Sequence, residues 1–234
     1  MTAFTFTCTG ARADRYAAGP TLVFRLRITA DGPAPVHALA LRCQIRIEPS
    51  RRAYGEGEAT GGLTDLFGER SRWGTTLNPL QFAQVSLMVP GFTGETETDL
   101  VVPCTYDMDI AATRYADALE GGEVPLLMLF SGTAFTGAAG FRVEPVPWDR
   151  EATFALPVAT WREMIEQHFP GCGWIRLSSD TMAALLAHRS RRALPSAEAA
   201  VRDLLESPAP GAPPAAVPPA EDAAPARYER TPAR

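Results

Sequence analysis

Four cysteines, three histidines and two closely spaced aspartates are the residues through which this chain could do chemistry. Cys8, Cys43 and Cys104 fall on the apolar phases of predicted strands, the habit of buried structural thiols. A zinc site wants close pairs such as C-x2-C, and no two cysteines lie within thirty residues of each other. Cys172 stands apart, in the loop Pro170-Gly171-Cys172-Gly173. Its glycines leave the thiol accessible, which makes it the reactive-thiol candidate, although the end of the preceding helix raises a thiol pKa and opposes a nucleophilic role. Asp107 and Asp109, at a spacing of two, would put hard oxygens on one strand face for a divalent cation. The more economical reading makes them acidic partners for arginines on neighbouring strands. His168 lies on the apolar face of a predicted helix, where a packed ring is expected. His188 sits beside Arg189 and is expected in solvent, and His37 falls on no motif. The chain holds no G-x-S-x-G, H-E-x-x-H, Walker A or G-x-G-x-x-G pattern. No catalytic residue, resident metal or cofactor is therefore assigned, and a non-catalytic role is favoured over an enzymatic one.

All 22 cationic residues are arginine. Codon bias explains that economically, given the wealth of alanine, proline and glycine; bidentate recognition of carboxylate or phosphate is the functional alternative. Arg25, Arg27, Arg42 and Arg46 occupy polar faces of predicted strands. Either they are laced with Glu97, Asp99, Asp107 and Asp109, or they form a working surface for an acidic partner. Trp73, within Glu69-Arg70-Ser71-Arg72-Trp73-Gly74, is an interface anchor or a residue folded back into the core. Trp148, Trp161 and Trp174 are expected where helices meet sheet.

The elements that must position these side chains change character near Pro157. Before it, apolar and polar residues alternate, as in Phe4-Thr5-Phe6-Thr7-Cys8 and in Leu39, Leu41, Cys43, Ile45 and Ile47. Further strands are expected over 22–28, 83–89, 96–102, 104–110, 124–130, 141–148 and 153–156, with 124–130 buried on both faces. Residues 49–62 read as a loop, Leu63–Phe67 as a helical turn and Thr113–Leu119 as a short helix. About eight strands with frequent turns predict an antiparallel β-sandwich over residues 1–156. Residues 157–206 read as two or three helices docked on it, with Ser178 or Ser179 and Ser196 as caps. In the last of these helices Val201, Leu204 and Leu205 should face inward. Residues 207–234, rich in proline and alanine, read as a disordered tail.

A net charge of −5 argues against broad nucleic-acid binding. The first 20 residues lack the apolar stretch of a signal peptide, and no run approaches the length of a membrane span. A cytoplasmic protein with reduced thiols is expected.

The segments Phe4–Cys8, Gly19–Ile28, Leu41–Pro49, Val102–Asp107 and Gly122–Leu126 resemble an uncharacterised, mainly actinobacterial family, over about residues 3 to 205. Members are often encoded near genes of the high-affinity uptake [NiFe]-hydrogenase. The resemblance implies an accessory, assembly or maturation role beside a hydrogenase component, and it carries no catalytic residues. The leading expectation is thus a non-catalytic protein-binding module, with Arg25, Arg27, Arg42, Arg46 and Trp73 as binding residues. An enzyme using Cys172 or the Asp107/Asp109 pair, and a holdase-like chaperone, are the alternatives.

Overall fold

A computed structural model describes residues 2–104, 110–138, 140–171, 175 and 177–206. The expectations placed on Asp107, Asp109, Cys172, Trp174 and the tail 207–234 lie outside these residues. The described strands are β1 (Phe4–Ala13), β2 (Thr21–Ala30), β3 (Val36–Ile47), β4 (Leu80–Phe92), β5 (Glu95–Pro103), β6 (Glu123–Thr136) and β7 (Arg142–Pro157). They form two antiparallel sheets, β1-β2-β5 and β4-β3-β6-β7. The fold is mainly β, as the alternation predicts.

Alternation builds the sandwich directly, because successive strand side chains point to opposite faces. Leu22, Phe24, Leu26 and Ile28 of β2 are buried, and so are Leu39, Leu41, Cys43, Ile45 and Ile47 of β3. The sheets meet through these inner faces. Phe6 stacks on Phe130 with ring centroids 4.2 Å apart, and Phe24 meets Phe154 edge-on at 6.0 Å. The tight Thr93-Gly94 link, with Gly94 at φ 72°, carries the chain from β4 of one sheet into β5 of the other.

Among the described residues, four α-helices lie in the connections between strands, with two short 3-10 turns beside them. The β3–β4 link holds α1 (Glu56–Thr60), α2 (Gly62–Phe67) and α3 (Trp73–Thr76), and the β5–β6 link holds α4 (Ile110–Ala118). The expected loop over 49–62 is therefore partly helical. Its helix is only five residues long, too short for periodicity to register. Of the strand expected over 104–110, residues 105–109 lie outside the described residues; β5 ends at Pro103 and Ile110 opens α4. The separate strands expected at 141–148 and 153–156 are one strand, β7, interrupted by a bulge. There Pro147, Trp148 and Asp149 stand where β6 supplies Ser131 alone. Strand β6 is central in its sheet as expected, but its outward Leu127 and Leu129 are only half-buried.

The chain divides into two compact units, Met1–Gly173 and Trp174–Arg234. Helix α5 (Val158–His168) belongs to the first and buries Val158, Trp161 and Met164 against the strands. The second unit contains α6 (Ser179–Arg191) and α7 (Ala197–Glu206). Ser178 Oγ accepts the Thr181 amide at 3.2 Å and Ser196 Oγ the Ala199 amide at 3.0 Å, the two expected caps. Of the apolar residues expected inward on α7, Leu204 and Leu205 are instead 48% and 81% exposed, Val201 is half-buried, and Ala200 is the residue buried. No described helix is long and apolar enough to cross a membrane.

Candidate binding surface

The four strand arginines do not share a surface. Arg25 and Arg27 lie on β2, and Arg42 and Arg46 on β3, so the pairs face outward from opposite sheets.

On the β1-β2-β5 face, register alone pairs the charges. Arg25 stands opposite Asp99, and Arg27 opposite Glu97. Arg25 Nε lies 3.2 Å from Asp99 Oδ1, and Arg12 Nη2 lies 3.2 Å from Asp99 Oδ2. Arg27 reaches Glu97 at 2.9 Å and Glu95 at 3.5 Å, and these carboxylates raise its pKa further. Three guanidinium groups thus meet three carboxylates. The surface is neutral in itself, and cross-strand pairing of opposite charges accounts for it without a ligand.

The outer face of β4-β3-β6 is different. Ser86, Arg42 and Ser131 form one row across the three strands, and Met88, Ala40 and Thr133 form the next. These residues line an open depression of about 580 Å³. Its floor is Gly132, where a Cβ would stand 2.1 Å from Ala40 O; only glycine lets β3 and β6 approach there. Arg46 donates to Gln44 Oε1 at 3.3 Å, and Gln44 donates to Gln81 Oε1 at 2.7 Å, a relay of neutral amides. Among the described residues neither Arg42 nor Arg46 forms an ion pair. Chemically, the row offers an uncompensated guanidinium flanked by two hydroxyls, a pattern suited to carboxylate.

Trp73 is corrected from interface anchor to core. It is buried, donates Nε1–H to Gly68 O at 2.9 Å, and packs edge-on against Tyr54 and Phe67. Trp148, expected at a helix–sheet contact, is 89% exposed on the β7 bulge. Trp161 does bridge helix and sheet, meeting Phe82 at 6.3 Å and donating to Asp117 Oδ1 at 3.1 Å. His168 is packed as expected, between Met164 O and Ala17 O, each at 3.2 Å. His188 is not free in solvent: its Nε2 lies 2.8 Å from Asp203 Oδ2. Arg192 and His188 together hold the Asp203 carboxyl below its usual range. Cys8, Cys43 and Cys104 are buried free thiols. Burial pushes Cys8 up to about 11 and Cys43 and Cys104 up to about 12, which leaves them poor nucleophiles. Among the described residues, no group of three or more His, Cys, Asp or Glu is gathered as a metal would need.

One polar cluster escaped sequence reasoning. Glu58 is only 4% exposed and pairs with Arg52 Nη2 at 2.5 Å. Its oxygens also accept the Gly55 amide at 3.1 Å and the Glu120 amide at 3.0 Å. Arg52 donates to Gly121 O at 2.8 Å and Glu123 O at 2.9 Å, and lies over the Tyr54 ring. Tyr54 and Tyr115 share a 2.7 Å hydroxyl contact, and burial raises both phenols. Both Glu58 oxygens and both Arg52 Nη atoms have partners, so the cluster clasps two connections together. The spacing Gly55-x-x-Glu58, a helix-start signature, was the available signal.

No curated protein matches the chain. Among solved structures, the β-glucosidase of Kluyveromyces marxianus is similar at 7% identity with a TM-score of 0.26. That likeness covers 67% of this chain and 15% of the enzyme, so the chain spans a small part of that structure's length. The match that identifies the chain is to a family: residues 1–212 fit the sequence model of DUF6084, a family of unknown function, and the chain belongs to it.

Proposed function

We propose that this chain is a non-catalytic protein-binding accessory module whose working surface is the β4-β3-β6 face around Arg42. One observation carries the reading. The arginines of the opposite sheet are neutralised by Glu95, Glu97 and Asp99, whereas Arg42 is left uncompensated beside Ser86 and Ser131. The partner it suits presents a carboxylate to Arg42 and apolar side chains to Met88, which is 64% exposed. The family resemblance noted from the sequence nominates a [NiFe]-hydrogenase component as that partner, during assembly or maturation in the cytoplasm.

The test is recovery of hydrogenase structural or maturation subunits with the tagged full chain from native cells. A charge-assisted guanidinium–carboxylate contact of about 1.5–3 kcal/mol corresponds to roughly a ten- to hundredfold change in affinity. Arg42→Glu should therefore abolish recovery, while Arg25→Glu on the other sheet should leave it intact. Equal recovery with Arg42→Glu, or none with the wild-type chain at any salt concentration, would overturn the proposal.

A further inference from the structure

A sandwich of open sheets has free strand edges, and natural proteins guard them with charge, proline, bulges or neighbouring elements. The edges here are β1, β5, β7 and β4. Strand β7 carries Pro145, Pro147, several charges and the Trp148 bulge. Strand β5 carries Glu95, Glu97, Asp99 and Pro103. Strand β1 runs beside β7 and α5. Strand β4 bulges at Phe82 and neighbours α4 and β5, but Leu80–Val89 contains no charged residue and no proline, and past the bulge, among the described residues, only its ladder to β3 engages it. Its ladder is to β3, and among the described residues no turn, loop or other strand hydrogen-bonds to its second edge. Its inward Val85 and Leu87 remain half-buried, and its outward Met88 is exposed.

We infer that β4 is the pairing edge of a symmetric dimer, in which Gln84–Met88 runs antiparallel to the same segment of a second copy. The occupant follows from self-complementarity. A two-fold axis pairs this segment with itself, so any charge on it would have its like within the same short interface; this segment has none. The pairing also closes. It makes one eight-stranded sheet whose outer edges are the two guarded β7 strands, so growth stops at two copies. The Arg42 side chains do not oppose it, since β3 and its counterpart lie three strand spacings apart, about 14 Å, beyond the Debye length of about 8 Å at physiological salt. The inference is independent of what Arg42 binds.

Sedimentation equilibrium of the full chain tests it. The monomer is 25.2 kDa. Edge pairing is a small interface, so the wild-type chain is expected at twice that mass by about 100 µM. Gln84→Lys/Ser86→Lys places lysines on the outer face of the edge and should raise the dissociation constant at least about tenfold. Met88→Lys provides a second, single variant should the double one fail to fold. Far-UV circular dichroism verifies that each variant is folded. A wild-type chain that stays at monomer mass over the whole range overturns the inference, as does a dimer unchanged in folded variants.

Discussion

Replacing Glu58 with alanine tests whether the clasp between the two helical connections holds the first unit together. The substitution removes the carboxylate from Arg52, which is itself only 14% exposed, and leaves the Gly55 and Glu120 amides without their acceptor. Breaking a buried ion pair from one side costs about 3–5 kcal/mol, because the remaining charge is uncompensated. Against a total of about 5–15 kcal/mol for a domain, that is a large fraction. With a urea m-value of about 2 kcal/mol/M, the midpoint should fall by about 2 M. Tryptophan fluorescence follows the transition, since Trp73 packs on Tyr54 inside the cluster and Trp161 is buried nearby in the same unit. Arg52→Met combined with Glu58→Leu should recover part of the loss, since it removes both charges at once. A Glu58→Ala midpoint within about 0.5 M of wild type, under about 1 kcal/mol, would refute the reasoning and make the clasp incidental.

Gly132→Ala should destabilise the fold by about 1–3 kcal/mol in thermal melts, because the added methyl meets Ala40 O and β3 and β6 must part; an unchanged melting temperature would contradict the close approach. Asp99→Asn, on the charge-laced face, should cost under about 1 kcal/mol, a double-mutant cycle with Arg25→Gln giving a coupling no larger. In a Cys172→Ser variant the three remaining thiols should stay silent to Ellman's reagent at pH 8 and react once urea is added. Their folded pKa values lie above the ordinary 9.0, so the stabilisation is complete below about pH 9 and is lost as pH rises toward about 11 to 12. Each thiol should contribute a loss of up to about 1.4 kcal/mol per pH unit in that window; urea midpoints that stay flat from pH 8 to 10.5 in reductant would contradict their burial.

What was legible beforehand follows from the physics of each signal. Strands β2 and β3 could be read because one face is buried and the period is two, and the same alternation marked their arginines as outward. Alternation does not say which sheet a strand joins. Arg25 and Arg42 looked equivalent until register put the first opposite Asp99 and the second between serines. The thiols were legible for the same reason as the strands, since Cys8, Cys43 and Cys104 sit in phase with their apolar neighbours. Glu58 was not, because a carboxylate in a glycine-rich stretch reads as solvated until the Glu120 amide and Arg52 close around it. Trp73 shows the converse: its polar neighbours are exposed, yet the Gly68 carbonyl and the Tyr54 and Phe67 rings draw the indole inside.

The mutual completion of the two helical connections has a consequence for how this scaffold can be altered. Arg52 caps carbonyls at 121 and 123, and Glu58 receives an amide at 120. Each crossover thus finishes the polar bonding of the other, although more than sixty positions separate even the closest bonded residues, Tyr54 and Tyr115. Neither is an interchangeable cassette. A chimera that transplants one crossover from a relative must bring its mate, or it inherits a charged group with nothing to hold.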